Sequence, residues 1–206
     1  AMIAIVDYGS GNIQAIQNIF TKLKIETFFA SNPDDLHKAE KIILPGVGAF
    51  DEAMSQLENS GMKYALNDFA LVQKKPVLGI CVGMQVMAKS SDEGVMKGLG
   101  WFDATVKKID EARILFKPKL PHMGWNEVQP KQESPLLEGI DLEKGFYFIH
   151  SYYFDAHDSK DILLESNYGE AFSCAVRKDN IFGFQFHPEK SHSNGINLFK
   201  NFAEYS

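Results

Sequence analysis

Apolar and polar positions follow two different rhythms along the chain. In the first half, short unbroken apolar runs alternate with stretches at helical spacing. Met2 to Asp7, Glu26 to Ala30, Lys41 to Leu44 and Pro76 to Ile80 read as strands. Ile13, Ile16, Phe20 and Leu23 recur on one helical face. Further helices are predicted after Gly48, with Asp51 as cap, over Met62 to Val72, and over Gly83 to Lys89. Strands that are apolar throughout belong to sheets covered on both faces, and strand–helix alternation builds parallel sheets. The predicted fold class is therefore α/β, with a mostly parallel, doubly wound central sheet and helices on both faces.

From Trp101 onward the helical period vanishes. Ala104–Ile109, Ile114–Lys117, Phe146–Phe154, Ile162–Glu165, Cys174–Arg177 and Ile181–Phe186 look like strands between polar turns. This half is predicted to extend the sheet and add an antiparallel β flank. A last helix is expected over Gly195 to Tyr205, with Ile196, Phe199 and Phe202 on one face. No repeat or linker-like stretch divides residues 1–206, so one domain is expected.

Composition narrows the function classes. The hydrophobic fraction is 45%, the charged fraction 23% and the net charge −6. That balance gives no support for binding nucleic acid or an anionic membrane. No apolar run approaches the roughly 20 residues of a membrane span. Cys81 and Cys174 form neither a disulfide framework nor a Cys-x-x-Cys metal pair. The expected surroundings are reducing and cytoplasmic, and nothing calls for a metal or cofactor.

The chemistry centres on Pro76-Val77-Leu78-Gly79-Ile80-Cys81-Val82-Gly83-Met84-Gln85. Gly-x-Cys-x-Gly, set where a buried strand meets a helix, is the sulfur counterpart of the Gly-x-Ser-x-Gly nucleophile elbow. The small neighbours let strand and helix approach closely around a strained nucleophile. The helix N-terminus favours thiolate. A lone cysteine in an apolar run is ordinarily a structural thiol; the two glycines and the abrupt strand-to-helix change argue otherwise here.

An ordinary thiol, with a pKa of about 8.5, is only a few per cent ionised at neutral pH and needs a base. Phe182 to Phe186 reads as a buried strand ending in His187-Pro188-Glu189. Residues two apart on a strand share a side, so Glu189 is expected to orient His187 while His187 faces Cys81. His37, His157 and His192 lie in polar segments; His150 competes better but has no carboxylate two residues on. Gly46-Val47-Gly48 follows the third strand and could turn a backbone N–H toward the nucleophile as an oxyanion donor. Gly9-Ser10-Gly11 lacks the third glycine of a dinucleotide loop and reads as a tight βα turn.

Together Gly79–Gln85 and His187-Pro188-Glu189-Lys190-Ser191 resemble the triad, class I, glutamine amidotransferases. Asp7–Asn12, Leu44–Gly48, Pro121-His122-Met123-Gly124-Trp125-Asn126 and His150-Ser151-Tyr152-Tyr153 resemble, within that class, the glutaminase subunits of imidazole glycerol phosphate synthases of the histidine pathway. The resemblance implies hydrolysis of L-glutamine to glutamate, with ammonia passed to a (β/α)8-barrel cyclase subunit. It implies Cys81 as nucleophile, His187 as base and acid, and Glu189 as its orienter. It also implies oxyanion donors from Val82 and the Gly46, Val47, Gly48 loop. Gln85, Glu93, Ser151 and Tyr152 would hold the substrate, and His122, Met123, Trp125, Asn126 and Lys190 would meet the partner. Read without the resemblance, Glu93 is a loop acid and Trp125 a core residue.

Gly100-Trp101-Phe102-Asp103-Ala104 lacks the Pro-Gly of many histidine-pathway members. Relatives with that feature also supply ammonia for amidinating sugar nucleotides in surface-glycan synthesis, so two acceptors stay open. The rivals are a stand-alone Cys-His hydrolase and a catalytically silent interaction subunit.

Overall fold

The structure, a computed structural model, describes residues 2–206. The strands and helices run in the order β1 (Ile3–Val6), α1 (Ile13–Lys22), β2 (Thr27–Ala30), α2 (Pro33–Leu36), β3 (Lys41–Leu44), α3 (Phe50–Asn59) and α4 (Met62–Asn67). A π-helical turn, Asp68–Val72, continues α4. Then come β4 (Val77–Ile80), α5 (Val82–Gln85), β5 (Ser90–Ser91), β6 (Ala104–Lys108), β7 (His122–Asn126) and β8 (Gln129–Pro130). The chain closes with β9 (Phe146–His150), β10 (Tyr152–Ala156), β11 (Ile162–Tyr168), β12 (Glu170–Lys178), β13 (Ile181–Phe184) and α6 (His192–Glu204).

The main sheet has eight strands ordered β2-β1-β3-β4-β13-β12-β11-β8. Its first five are parallel and the remainder antiparallel. Every residue of β1, β3, β4 and β13 is buried, as the unbroken apolar runs require. Helix α1 packs with α6, and α3 with α4 and α5. Phe20, Phe50, Phe69, Phe182, Phe184, Phe199 and Phe202 fill the space between helices and sheet. A three-stranded sheet, β10-β6-β5, and a two-stranded ribbon, β7-β9, flank the far end. Among the described residues no helix is long and apolar enough to cross a membrane.

Several expectations are corrected. Phe146–Phe154 is two strands joining two different sheets, broken at Ser151. Ile114–Lys117 is loop, because Pro118 and Pro121 deny the neighbouring backbone its ladder donors. The helix expected over Gly83–Lys89 is a single α turn. Asp51 does not cap α3, whose N-cap is Ala49; its carboxylate instead accepts from the amides of Val95 (2.9 Å) and Met96 (3.0 Å). Asp51 thereby clamps the loop that carries Glu93.

What the topology does for function is local. Strand β13, encoded a hundred residues after β4, lies directly beside it with Ile80 opposite Phe184. The residue after each strand therefore emerges at the same sheet edge.

Candidate active site

Cys81 sits one residue past β4 with φ +55° and ψ −114°, a strained conformation for a residue with a side chain. The close approach that produces it leaves no room for a Cβ at either neighbouring glycine. A Cβ on Gly83 would fall 1.9 Å from the Leu44 carbonyl oxygen, and one on Gly79 would fall 2.5 Å from the Met87 side chain. Because α5 is one turn long, its dipole is small, and support for a thiolate must come mainly from neighbouring side chains.

Those neighbours are in place. The chain leaves β13, and the His187 amide donates to the Tyr147 carbonyl at 2.9 Å, bringing the imidazole beside Cys81. Glu189 reaches the ring by a route different from the one expected. Residues 188–190 form a 3-10 turn, not a strand continuation, and the turn carries Glu189 Oε2 to 2.9 Å from His187 Nδ1. Pro188 opens that turn with its φ already set. Ser191 locks it, its hydroxyl donating to the His187 carbonyl at 2.6 Å and accepting from the Tyr147 amide at 3.0 Å.

All three side chains are nearly enclosed, with Cys81 6% and His187 3% exposed and the Glu189 side chain 2% exposed. Burial alone would push the His187 imidazolium down. Hydrogen bonds to Cys81 and Glu189, and their charges, outweigh it and carry the ring up to about 10. With Nδ1 donating to the carboxylate, Nε2 is the nitrogen left for the sulfur. Cys174 is fully buried elsewhere in β12, where burial raises its thiol further.

A cavity of about 450 Å³ opens onto the sulfur. Cys81, Val82, His187, Val47, Gly48, Gln85, Glu93, Ser151, Tyr152 and Lys190 all line it. The structure therefore brings most of the sequence-nominated residues to one chamber. Gly46 is adjacent and buried, since a Cβ there would meet the Gly83 amide at 2.7 Å.

The oxyanion donors are not arranged as expected. The Val82 amide donates to the Gly46 carbonyl at 3.2 Å. The Val47 amide points the other way and donates to Ser10 Oγ at 2.9 Å, while Ser10 Oγ donates to the Val47 carbonyl at 3.0 Å. The Tyr8 hydroxyl holds the preceding carbonyl, Pro45, at 2.6 Å, and burial pushes that hydroxyl up so that it keeps its proton. The Gly46–Val47 peptide is thus oriented with its oxygen, not its N–H, toward the nucleophile loop. In this conformation neither expected oxyanion donor, Val82 N–H or Val47 N–H, is free.

The residues expected to meet a partner divide by strand alternation. Along β7, Met123 is 60% and Trp125 43% exposed, whereas His122 is 4% exposed and faces inward. His122 is thereby removed from any surface contact, and Asn126 is only partly exposed. Trp125 is not core: its indole stacks on the His192 ring at 5.4 Å. Lys190 is exposed, its ammonium 6.0 Å from the Tyr147 ring centre.

Gln185 was not anticipated. It is 0% exposed, donates through Nε2 to Cys81 Sγ at 3.7 Å, and accepts from Gln85 Nε2 at 2.9 Å. Its signal was present as the one polar side chain in the run Phe182–Phe186.

An elbow on a parallel sheet, with an imidazole and a carboxylate from the neighbouring strand end, is the arrangement that Cys-His-Glu acyl transfer requires. The chain belongs to the family described as Glutamine amidotransferase class-I, which it matches over residues 4–205. Its relatives include the imidazole glycerol phosphate synthase subunit HisH of Bdellovibrio bacteriovorus, 51% identical over 203 residues, 98% of this chain and 100% of that protein. Subunit HisH 2 of Pseudomonas aeruginosa is 47% identical, covering 98% of this chain and 99% of that protein. Subunit HisH 1 of Campylobacter jejuni strain 81-176 is 45% identical, covering 98% and 99%. In fold, the chain resembles PurLQS of Thermotoga maritima (TM-score 0.74, 16% identity, 99% of this chain and 98% of that one). It also resembles a glutamine amidotransferase of Thermotoga maritima (TM-score 0.67, 16% identity, 99% and 81%).

Proposed function

We propose that this glutamine amidotransferase is the glutaminase subunit of an imidazole glycerol phosphate synthase, hydrolysing L-glutamine and handing ammonia to a (β/α)8-barrel cyclase. The observation that carries the reading is the His187 imidazole, held between Glu189 and the Cys81 sulfur on the wall of a cavity with room for glutamine.

Cys81 sulfur attacks the side-chain carbonyl carbon of glutamine, and the C=O electrons move onto oxygen. Collapse breaks the C–N bond, the His187 Nε2 proton passes to the leaving nitrogen, and a thioester remains. His187, now neutral, takes a proton from water as its oxygen attacks the thioester; glutamate leaves and the thiolate returns. Glu189 holds the ring through Nδ1 and stabilises its charged form. Glu93 has one oxygen committed to the Phe50 amide (2.9 Å) and suits the substrate ammonium with the other. Tyr152 O already accepts from Gln85 Nε2 and His150 Nδ1, and Ser151 O from Ile109 N. The amides of these two residues are therefore the groups suited to the α-carboxylate.

Opening the oxyanion hole requires the Gly46–Val47 peptide to turn over, freeing Val82 N–H and aiming Val47 N–H inward. A donor in such a hole is worth about 3–4 kcal/mol in the transition state. The resting chain is expected to be slow, and docking of the cyclase against Met123, Trp125 and Lys190 to favour the turned peptide. Such gating suits the chemistry, because ammonia released to neutral water is protonated and loses its nucleophilicity.

The missing Pro-Gly near Trp101 is the feature that admits a second acceptor. On this second reading the ammonia amidinates a sugar nucleotide. Cys81→Ala should abolish glutamine-dependent synthesis yet leave synthesis from ammonium salt intact, and the acceptor that accelerates wild-type glutamine hydrolysis identifies the pathway. Glutamine-dependent turnover by Cys81→Ala would remove the proposal.

A further inference from the structure

Strands β7 and β9 pair with His122 directly opposite His150. The two imidazoles therefore meet on the inner face of the ribbon, with His122 stacked between Phe148 (4.8 Å) and Tyr168 (4.1 Å). His150 Nδ1 lies 2.8 Å from the Tyr152 carbonyl oxygen, His122 Nδ1 2.9 Å from His150 Nε2, and Asn126 Nδ2 3.2 Å from His122 Nε2.

The proton positions follow from the acceptor at the end. A carbonyl only accepts, so His150 Nδ1 donates; a neutral ring then accepts at Nε2, so His122 Nδ1 donates and His122 Nε2 accepts. The Asn126 amide is oriented independently, its Nδ2 also donating to the Asn167 carbonyl at 2.8 Å. Every bond points the same way, from Asn126 inward. Burial holds both rings neutral, lowering His122 to about 4 and His150 to about 3.

The chain does not stop at Tyr152. The same carbonyl accepts from Gln85 Nε2 at 3.2 Å, that nitrogen donates to Gln185 Oε1, and Gln185 Nε2 reaches the Cys81 sulfur. An unbroken polar path thus joins the strand bearing exposed Met123 and Trp125 to the nucleophile. Phe148, Phe172 and Tyr168 surround the pair, so an apolar ring would pack in its place with no cost of burying ring nitrogens.

We propose that His122 and His150 are positioning residues that orient the Tyr152–Gln85 wall of the glutamine site and carry the placement of β7 to Cys81. This rests on the glutaminase reading of Cys81. The arm from Asn126 and the arm from Gln85 both donate into the Tyr152 carbonyl, so losing a donor on the first leaves that carbonyl and the Gln85 amide less firmly held.

The test compares two alkylators of Cys81 in the full chain: a glutamine-shaped diazoketone, which needs the substrate wall, and iodoacetamide, which does not. His122→Phe keeps the ring stack and deletes both bonds. It should slow trapping by the diazoketone about tenfold and change iodoacetamide trapping less than twofold. His122→Asn, whose amide nitrogen can replace Nδ1 as donor, should recover most of the loss. Asn126→Ala, at the partly exposed outer end, removes the first link without entering the core and keeps the test decisive if the phenylalanine variant does not fold. It should slow the diazoketone reaction two- to fourfold. Parallel slowing of both reagents, or no selective slowing in a folded variant, would overturn the positioning role. An Nε2–H tautomer on either ring in long-range 1H–15N spectra would do the same. If the diazoketone fails to label wild-type Cys81 at all, the glutaminase reading fails first.

Discussion

Ser10→Ala is expected to make the isolated chain a faster glutaminase. Its hydroxyl both accepts from the Val47 amide (2.9 Å) and donates to the Val47 carbonyl (3.0 Å), holding the Gly46–Val47 peptide in the orientation that occupies Val82 N–H. Turning the peptide breaks the first bond and loosens the second. A neutral hydrogen bond contributes about 0.5–1.5 kcal/mol net, so the closed arrangement should lose about 1–2 kcal/mol. That corresponds to about a five- to thirtyfold larger open population. The Val82–Gly46 bond is broken by the turn in wild type and variant alike and cancels from the comparison. The assay is glutamate release by the chain without partner, repeated in the acceptor-saturated complex. The resting rate should rise about five- to thirtyfold, and the rate in the complex should stay within about twofold, since the proposed docking already turns the peptide. An unchanged or lower resting rate in a folded variant would refute the latch.

Two further outcomes follow from packing and charge. His122 and His150 are held neutral in the fold but bind protons near pH 6.5 once unfolded, so their contribution is complete above pH 6.5 and is lost as pH falls toward 4 and below. Each should steepen the acid loss of unfolding free energy by about 1.4 kcal/mol per pH unit, and chemical denaturation at pH 6.5 to 4.5 should give a shallower slope for His122→Phe; equal slopes would contradict the neutral pair. Gly83→Ala sets a methyl 1.9 Å from backbone oxygen and should cost at least about 3 kcal/mol or prevent folding, whereas Gly100→Ala, with nothing within 4 Å, should cost about 1 kcal/mol through its φ of +68°; comparable melting temperatures would refute the elbow argument.

The nucleophile was readable because its geometry demands particular residues. Only glycine tolerates the contacts at positions 79 and 83, and apolar runs on both sides mark a buried strand entering a helix. His187-Pro188-Glu189 was readable as a set, although the contact between its ends arises from a 3-10 turn rather than strand alternation. Proline, restricted to one φ, serves either geometry, so the residues alone did not separate them. Asp51 illustrates a second limit. It has the chemistry of a cap, yet the Val95 and Met96 amides, distant in sequence, compete for it. The break at Ser151 lies in an aromatic run that favours strand throughout, and it appears only because β9 and β10 pair with different partners. The sequence places His122 outward with its neighbours, but period-two alternation along β7 turns it in. The peptide orientation at Gly46–Val47 has no signature in residue type, since glycine permits both orientations at similar cost.

The proposed reaction depends on His187 activating Cys81. Acid-quenching the cyclase complex during glutamine turnover and weighing the intact chain reads this directly. A glutamyl thioester should be found on Cys81, and it should form at least a hundredfold more slowly in His187→Asn. An adduct on any other residue, or one that forms at the wild-type rate without the imidazole, would contradict the account.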